Sequence, residues 1–172
     1  MKKVSIYPKS YLRFHAQDIK NLGIVVQMEP LFQGVKPIQP SSWLIESLNN
    51  PISIKLDAEK AKSEFIIAPI ISETVRRNAQ KVAVFSGYAF EVDPDKGLTG
   101  TCDYILTTDP EAESIEAPVF FLVEAKNENL ITGAPQCIAE LFAAQIFNGH
   151  VLNGKFVLCP SMAVASEIFS VF

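Results

Sequence analysis

The sequence has few cysteines and histidines, and their arrangement excludes two common kinds of scaffold. Its 172 residues include three cysteines, Cys102, Cys137 and Cys159, and two histidines, His15 and His150. An odd number of widely spaced cysteines, with no Cys-x-x-Cys pair, predicts neither a disulfide framework nor a structural zinc site. The fold must therefore rest on a hydrophobic core, and a composition of 48% hydrophobic residues is enough to build one.

Long hydrophobic runs and glycine-rich loops are also missing. The apolar run Val119–Val123 is far shorter than the roughly 20 residues that span a bilayer, and the first residues contain no apolar signal-peptide segment. No Walker-type or dinucleotide-type phosphate loop is present. We therefore expect a soluble, cytoplasmic protein that has no membrane partner and binds no nucleotide cofactor.

Positive charge is scarce for a protein that would bind polyanions. The chain has 15 Lys and Arg residues against 19 Asp and Glu residues, which gives a net charge of −4. Nonspecific affinity for nucleic acid needs many basic contacts to phosphate, although a metal-dependent phosphodiesterase must also carry acidic ligands. Clusters of basic residues are usually part of a solvated surface, so they do not decide whether the chain binds nucleic acid. They are Lys2, Lys3, Lys9 and Arg13; Lys60 and Lys62; and Arg76, Arg77 and Lys81.

The first 56 residues are rich in proline, and four prolines between positions 30 and 51 prevent long regular elements there. We expect residues 1–56 to form an N-terminal appendage, packed on a single-domain core of residues 57–172. The elements expected in it are a helix over about Tyr11–Leu22, a short strand at Ile24–Gln27, and a helix that Ser41 or Ser42 caps and that runs through Leu48.

Residues 57–172 alternate between helical and strand patterns. This order predicts an α/β fold with a mixed central β-sheet flanked by helices. The expected elements are a helix over Asp57–Asn78, capped by Asp57 and kinked at Pro69; strands at Lys81–Val92 and Gly100–Thr107, joined by the turn Asp93–Gly97; a central strand at Val119–Lys126; a helix over Pro135–Asn148 that stops at Gly149; a short strand at Lys155–Cys159; and a helix over Ser161–Phe169.

Two charged residues end the otherwise apolar strand that begins at Val119. Glu124 and Lys126 share one face of a strand, while Ala125 points to the other face. An isolated Glu-x-Lys is most often a strand end entering solvent. Asp103, however, lies within the preceding strand, where aspartate is disfavoured and a buried carboxylate requires a partner or a cation. The three charges together therefore favour a metal site.

Helical geometry adds Glu64 and Gln136 to the candidates. Glu64 shares a helix face with apolar residues, whereas Glu73 lies among polar neighbours and is expected to be exposed. An ion pair with Lys60, four residues earlier, is the alternative for Glu64. Gln136 lies in the first turn of its helix, four residues before Glu140, so the two share a face. A functional role is no better an explanation than an ordinary one, in which Gln136 is a first-turn polar residue and Glu140 is solvated.

Two further features are assigned to the core. Cys102 is expected to be a small apolar strand residue and not a thiol nucleophile. Four phenylalanines have strand or helix spacings typical of a core and not of base stacking: Phe120, Phe121, Phe142 and Phe147.

These residues, in this order of elements, resemble the PD-(D/E)XK nuclease superfamily, whose domain is called restriction-endonuclease-like. The resemblance covers roughly Ala58–Pro160 and consists of a helix, a three-stranded meander, a second helix and a further strand. Thr101 and Cys102 stand where the family motif often has a proline before its aspartate. The resemblance implies that Asp103, Glu124 and Lys126 form an active site that Glu64 and Gln136 complete.

The implied activity is the Mg²⁺- or Mn²⁺-dependent hydrolysis of a phosphodiester in nucleic acid, with DNA the favoured substrate. Carboxylates are the hard oxygen ligands that these ions take, so Asp103, Glu124 and the backbone carbonyl of Ala125 would hold the ion, and Glu64 would act through water or a second ion. Lys126 would orient or deprotonate the attacking water, and Gln136 would position the water, Lys126 or the substrate.

Two alternatives to an active nuclease remain open at the level of sequence. The chain could be an inactive module that keeps the nuclease fold for binding, or a hydrolase of a small phosphate substrate. An active endonuclease could also work as a homodimer, because two active sites are needed to cut both strands of a duplex at once. An inactive module would be expected to lose at least one of these charges, because an unpaired buried carboxylate destabilises the fold. The presence of Asp103, Glu124 and Lys126 together therefore favours an active nuclease.

Overall fold

The computed structural model describes residues 8–27, 36–49, 55–78, 81–126 and 130–149. The fold is mixed α/β, which confirms the coarse fold class. The elements are helices α1 (Ala16–Asn21), α2 (Ser42–Asn49), α3 (Glu59–Lys62), α4 (Ala68–Arg77) and α5 (Leu130–Phe147), and strands β1 (Ala83–Ala89), β2 (Thr101–Thr107) and β3 (Val119–Val123), with a π turn at Ser63–Ile67 and 3-10 turns at Tyr11–Arg13 and Pro94–Lys96. Within the described residues, no helix has both the length and the apolarity to cross a bilayer.

The three described strands form an antiparallel sheet in the order β1-β2-β3. The predicted hairpin is confirmed, since Ala83 pairs with Thr107 and Ala89 pairs with Thr101. Its connection turns at Gly97, whose φ of 72° lies in the left-handed region that glycine adopts without strain. The predicted strand Lys155–Cys159 and helix Ser161–Phe169 lie outside the described residues, so a mixed sheet stays a prediction.

The hydrophobic core lies between this sheet, α5 and the N-terminal segment. Tyr11, Phe14 and Ile19 are buried in the same cluster as Ile105 of β2 and Ala143 of α5. The backbone N–H of Tyr11 also donates to the carbonyl of Thr99, 2.9 Å away. The N-terminal segment therefore supplies core side chains for the sheet.

The first two N-terminal elements differ from the prediction, and the third is confirmed. The predicted helix over Tyr11–Leu22 is a 3-10 turn followed by α1, because Phe14 and His15 between them are extended. The predicted strand at Ile24–Gln27 is wrong: these residues are irregular, and Val25 is 81% exposed. The capped helix is confirmed as α2, with the Ser41 hydroxyl accepting a hydrogen bond from the N–H of Leu44.

The long helix predicted over Asp57–Asn78 is interrupted by the π turn Ser63–Ile67, immediately before α4. Its N-cap is Ala58 and not Asp57. Proline has no N–H and its ring clashes with the carbonyl four residues earlier, so the wider turn before Pro69 accommodates it. Because a π turn uses more residues per turn than an α-helix, the faces predicted at 100° per residue no longer hold.

The predicted exposure of Glu73 is consequently wrong. Its side chain is buried, and it accepts hydrogen bonds from the N–H and the hydroxyl of Ser41 at 3.0 and 2.8 Å and from Nε of Arg77 at 2.8 Å. Burial raises the pKa of Glu73, but these hydrogen bonds lower it by more, so the carboxylate stays ionised. Glu73 therefore anchors the start of α2 on α4.

The assignment to the core is wrong for three of the four phenylalanines and confirmed for Phe142. Phe120 and Phe121 are 42% and 47% exposed, and Phe147 is exposed as well, while Phe142 is partly buried against the core. In β3, Phe121 pairs with Leu106 but Val119 pairs with Thr107, so Phe120 has no partner on β2. This bulge breaks the alternation of inward and outward side chains on which the prediction relied.

Helix α5 begins five residues before the predicted start at Pro135, which lies inside the helix and removes only one hydrogen bond near its beginning. Gly149, with φ of 60°, follows its last turn as predicted. Beside it, Asn148 is buried and binds β3 twice: its Oδ1 accepts from the N–H of Val119, and its Nδ2 donates to the carbonyl of Val119, both at 2.8 Å. This pair fixes α5 against β3.

We predict that Asn148→Ala lowers the free energy of unfolding by about 2–6 kcal/mol, because it leaves two buried backbone groups of Val119 unpaired at roughly 1–3 kcal/mol each. Urea denaturation measures this loss. Asn49→Ala, at the exposed end of α2, is the control and should change stability by no more than about 0.5 kcal/mol. A loss no larger than that of the control would show that the Asn148 bonds do not hold the helix.

Candidate functional site

Asp103 in β2 and Glu124, the residue after β3, each bind the backbone of the other strand. Oε1 of Glu124 accepts from the N–H of Asp103 at 3.2 Å, and Oδ2 of Asp103 accepts from the N–H of Ala125 at 2.7 Å. The side chains thus continue the pairing of β2 with β3 beyond Val123. The structure brings together the two carboxylates that the sequence analysis selected.

Lys126 lies beside the same carboxylates. Its Nζ is 3.3 Å from Oε2 of Glu124 and 3.7 Å from Oε1 of Glu59. Burial lowers the pKa of Lys126, but the negative charges of Glu124 and Glu59 raise it by more, so the ammonium keeps its proton. The sequence analysis missed Glu59, which lies in the first turn of α3, where acidic residues are common for reasons of helix stability alone.

Gln136 and Glu140 approach the site from α5. Nε2 of Gln136 donates to Oε1 of Glu140 at 3.0 Å, and both residues are buried, Glu140 completely. Solvation of Glu140, one reading of the sequence, is therefore wrong. The four-residue spacing correctly indicated that the two side chains share a face, but only tertiary packing decides that this face points inward.

The site holds more negative than positive charge. Burial, and then the charge of Glu124, raise the pKa of Glu140 well above its ordinary value. Burial and the charge of Asp103 also raise the pKa of Glu124, which Lys126 only partly offsets. In the absence of a cation, Glu140 is therefore the protonated member of the pair and shares its proton with Glu124.

Glu64 lies at the rim of this site and does not point into the core. It is exposed, and its carboxylate pairs with Nζ of Lys60 at 2.6 Å, so the alternative weighed for it is confirmed and its predicted core-facing orientation is wrong. The π turn is the physical reason, since it shifts the helix face at this residue. Glu64 nevertheless lines the same cleft as Asp103.

That cleft has a volume of about 280 Å³ and lies between the start of α3, the π turn and the strands. The π turn is tied to β2 through Tyr104, whose hydroxyl lies 2.9 Å from Oγ of Ser63 and donates to the Ser63 carbonyl at 3.1 Å. The cleft is lined by Glu59, Lys60, Ser63, Glu64, Ser86, Asp103, Tyr104 and Ala125.

Three residues of the basic clusters have partners within the described part of the chain. Lys60 pairs with Glu64, Arg77 pairs with Glu73, and the guanidinium of Arg76 lies 5.2 Å from the ring centre of Trp43. Lys2 and Lys3 lie outside the described residues. Lys60, Arg76 and Arg77 are already paired, so the case for a polyanion partner rests on the carboxylates and Lys126.

The raised pKa of Glu140 predicts that stability falls as pH rises. Below its ordinary pKa of 4.5 the group is protonated in both states, whereas above that value the unfolded chain loses the proton that the folded chain keeps. Glu140→Gln cannot ionise. Thermal melts with a chelator present measure the difference in melting temperature between Glu140→Gln and wild type. We expect this difference to shift in favour of the variant from about pH 5 to about pH 8, because only wild type loses stability over this range. If the difference in melting temperature is the same at both pH values, Glu140 is not buried in its neutral form.

Comparisons with protein-family models, with curated proteins and with solved structures give no match to this chain.

Proposed function

We propose that this chain is a metal-dependent endonuclease of the PD-(D/E)XK type, which hydrolyses phosphodiester bonds of nucleic acid, with DNA the favoured substrate. The observation that supports this most strongly is the reciprocal binding of Asp103 and the Glu124–Ala125 segment, with the Lys126 ammonium 3.3 Å from Glu124. If Glu124 and Lys126 formed only a structural ion pair, one carboxylate would balance the charge of the lysine. Here a second carboxylate, Asp103, lies close enough to oppose the ionisation of Glu124.

The residues fit a hard divalent cation. Asp103 and Glu124, with the carbonyl of Ala125, would hold Mg²⁺ or Mn²⁺, because carboxylate and carbonyl oxygens are their preferred ligands and the buried negative charge lacks a full counter-charge. Glu64, at the rim of the cleft, would assist through water or a second ion. When bound, the ion would supply Lewis-acid activation of a water and of a phosphoryl oxygen.

The protein's own groups would do the rest of the chemistry. A phosphate of the nucleic-acid backbone enters the cleft beside Asp103, where a water oxygen attacks phosphorus and one ester oxygen leaves. Lys126 orients that water and offsets the negative charge that grows on the phosphoryl oxygens. Glu59 holds the lysine from its other side, and Gln136 orients Glu140 behind Glu124.

Lys126→Ala should abolish cleavage of plasmid DNA with Mg²⁺ or Mn²⁺ while leaving metal binding largely intact, because an ammonium cannot be a metal ligand. Glu124→Ala should lose both cleavage and metal binding. A plasmid-nicking assay beside calorimetric titration with Mn²⁺ measures the two properties separately. Lys20→Ala, an exposed lysine on α1, is the matched control and should behave as wild type.

Equal loss of Mn²⁺ binding in Lys126→Ala and Glu124→Ala would contradict these roles. Metal binding by wild type without cleavage of plasmid, single-stranded DNA or RNA would instead support the inactive module. If the chain acts as a homodimer, the same plasmid assay would yield linear product together with the nicked circle.

A further inference from the structure

A second group of possible ligands lies behind Asp103, on the side of the sheet that packs on α5. Sγ of Cys102, one carboxylate oxygen of Glu124 and one of Glu140 all lie within 4.8 Å of one another, and all three residues are buried. They come from β2, from the segment after β3 and from α5. An ion at this point would tie the helix to both strands.

A buried oxygen at this place lacks a hydrogen-bond donor. Oε2 of Glu140 is buried and accepts no hydrogen bond from the described residues, although Oε1 accepts from Gln136, so without a cation only the proton shared with Glu124 compensates this carboxyl pair. Glu140 is also 0% exposed, so no solvent compensates this oxygen. Buried acceptors in folded proteins almost always have a partner, which can be a donor, a water or a cation.

Tyr11 adds a second unpaired group beside the same cluster. Its hydroxyl is buried without a hydrogen-bond partner among the described residues, and its side chain is 1% exposed. Tyr11 and Cys102 pack in the same buried core cluster. A second polar group without a partner among the described residues therefore lies in the core that contains one of the three ligating side chains.

We propose that Cys102, Glu124 and Glu140 bind a divalent transition-metal ion such as Zn²⁺ in a structural site next to the proposed catalytic position, with Glu124 shared between them. A thiolate ligand disfavours Mg²⁺ and Ca²⁺, and two carboxylates disfavour Cu⁺, so the donor set selects Zn²⁺, Co²⁺ or a similar ion. Binding displaces the thiol proton of Cys102 and the carboxyl proton of Glu140 to solvent, and forms one metal–sulfur bond and metal–oxygen bonds to Glu124 and Glu140. Metal binding at this structural site does not depend on the proposed nuclease activity.

The test is a titration of the chelator-treated full chain with Co²⁺, whose bond to a thiolate gives a charge-transfer band in the near ultraviolet. Wild type should develop this band and saturate at about one equivalent. Cys102→Ala should lose the band, and Cys137→Ala, the matched control on α5, should keep it. Glu140→Gln should keep the fold and weaken Co²⁺ affinity by at least the roughly 10- to 100-fold loss typical of outer-shell changes.

Circular dichroism of each variant establishes that it is folded, and Glu140→Gln tests the site even if Cys102→Ala does not fold. The absence of a thiolate band in wild type, or its persistence in a folded Cys102→Ala, would overturn the proposal and leave a proton-sharing carboxyl pair. The nuclease proposal fails separately: a Co²⁺–thiolate band without Mg²⁺-dependent nicking would support this site and contradict the proposed function, while nicking without the band would do the reverse.

Discussion

The burial of carboxylates at the junction of β2, β3 and α5 is the constraint on which the arrangement of this protein depends. Glu124 is 6% exposed and Glu140 is fully buried, and Asp103 adds a third carboxyl group beside them. Groups of one sign in a medium of low dielectric repel each other and lose hydration, so they persist only with a proton or a cation to compensate them. Lys126 supplies one positive charge, and a divalent ion would supply the remainder.

The fold holds these groups in place against that repulsion. The β1–β2 hairpin and the pairing of β2 with β3 set Asp103 opposite Glu124, while the two bonds between Asn148 and Val119 fix α5 over β3. Core packing of the N-terminal segment reaches the same region through Tyr11. The candidate site therefore draws on elements from most of the described chain, and these elements keep Glu124 and Glu140 out of solvent.

The sequence predicted the strands, the turn between β1 and β2, and the meeting of Asp103 with Glu124, because these depend on local alternation and on charges that stand out in apolar strands. It failed where a local irregularity shifts a face. The π turn before Pro69 reversed the expected exposure of Glu64 and Glu73, and the bulge at Phe120 broke the alternation in β3. The burial of Glu140 could not be predicted from the sequence, because it depends on how α5 packs on the sheet, and no pattern within the helix encodes that packing.

Diffraction from crystals of the wild-type chain soaked in Mn²⁺, measured with anomalous scattering, tests the central claim most directly. The account predicts an anomalous peak within about 2.5 Å of carboxylate oxygens from both Asp103 and Glu124. A map from well-ordered soaked crystals with no peak at these two residues, and with Lys126 still seated against Glu124, would contradict it.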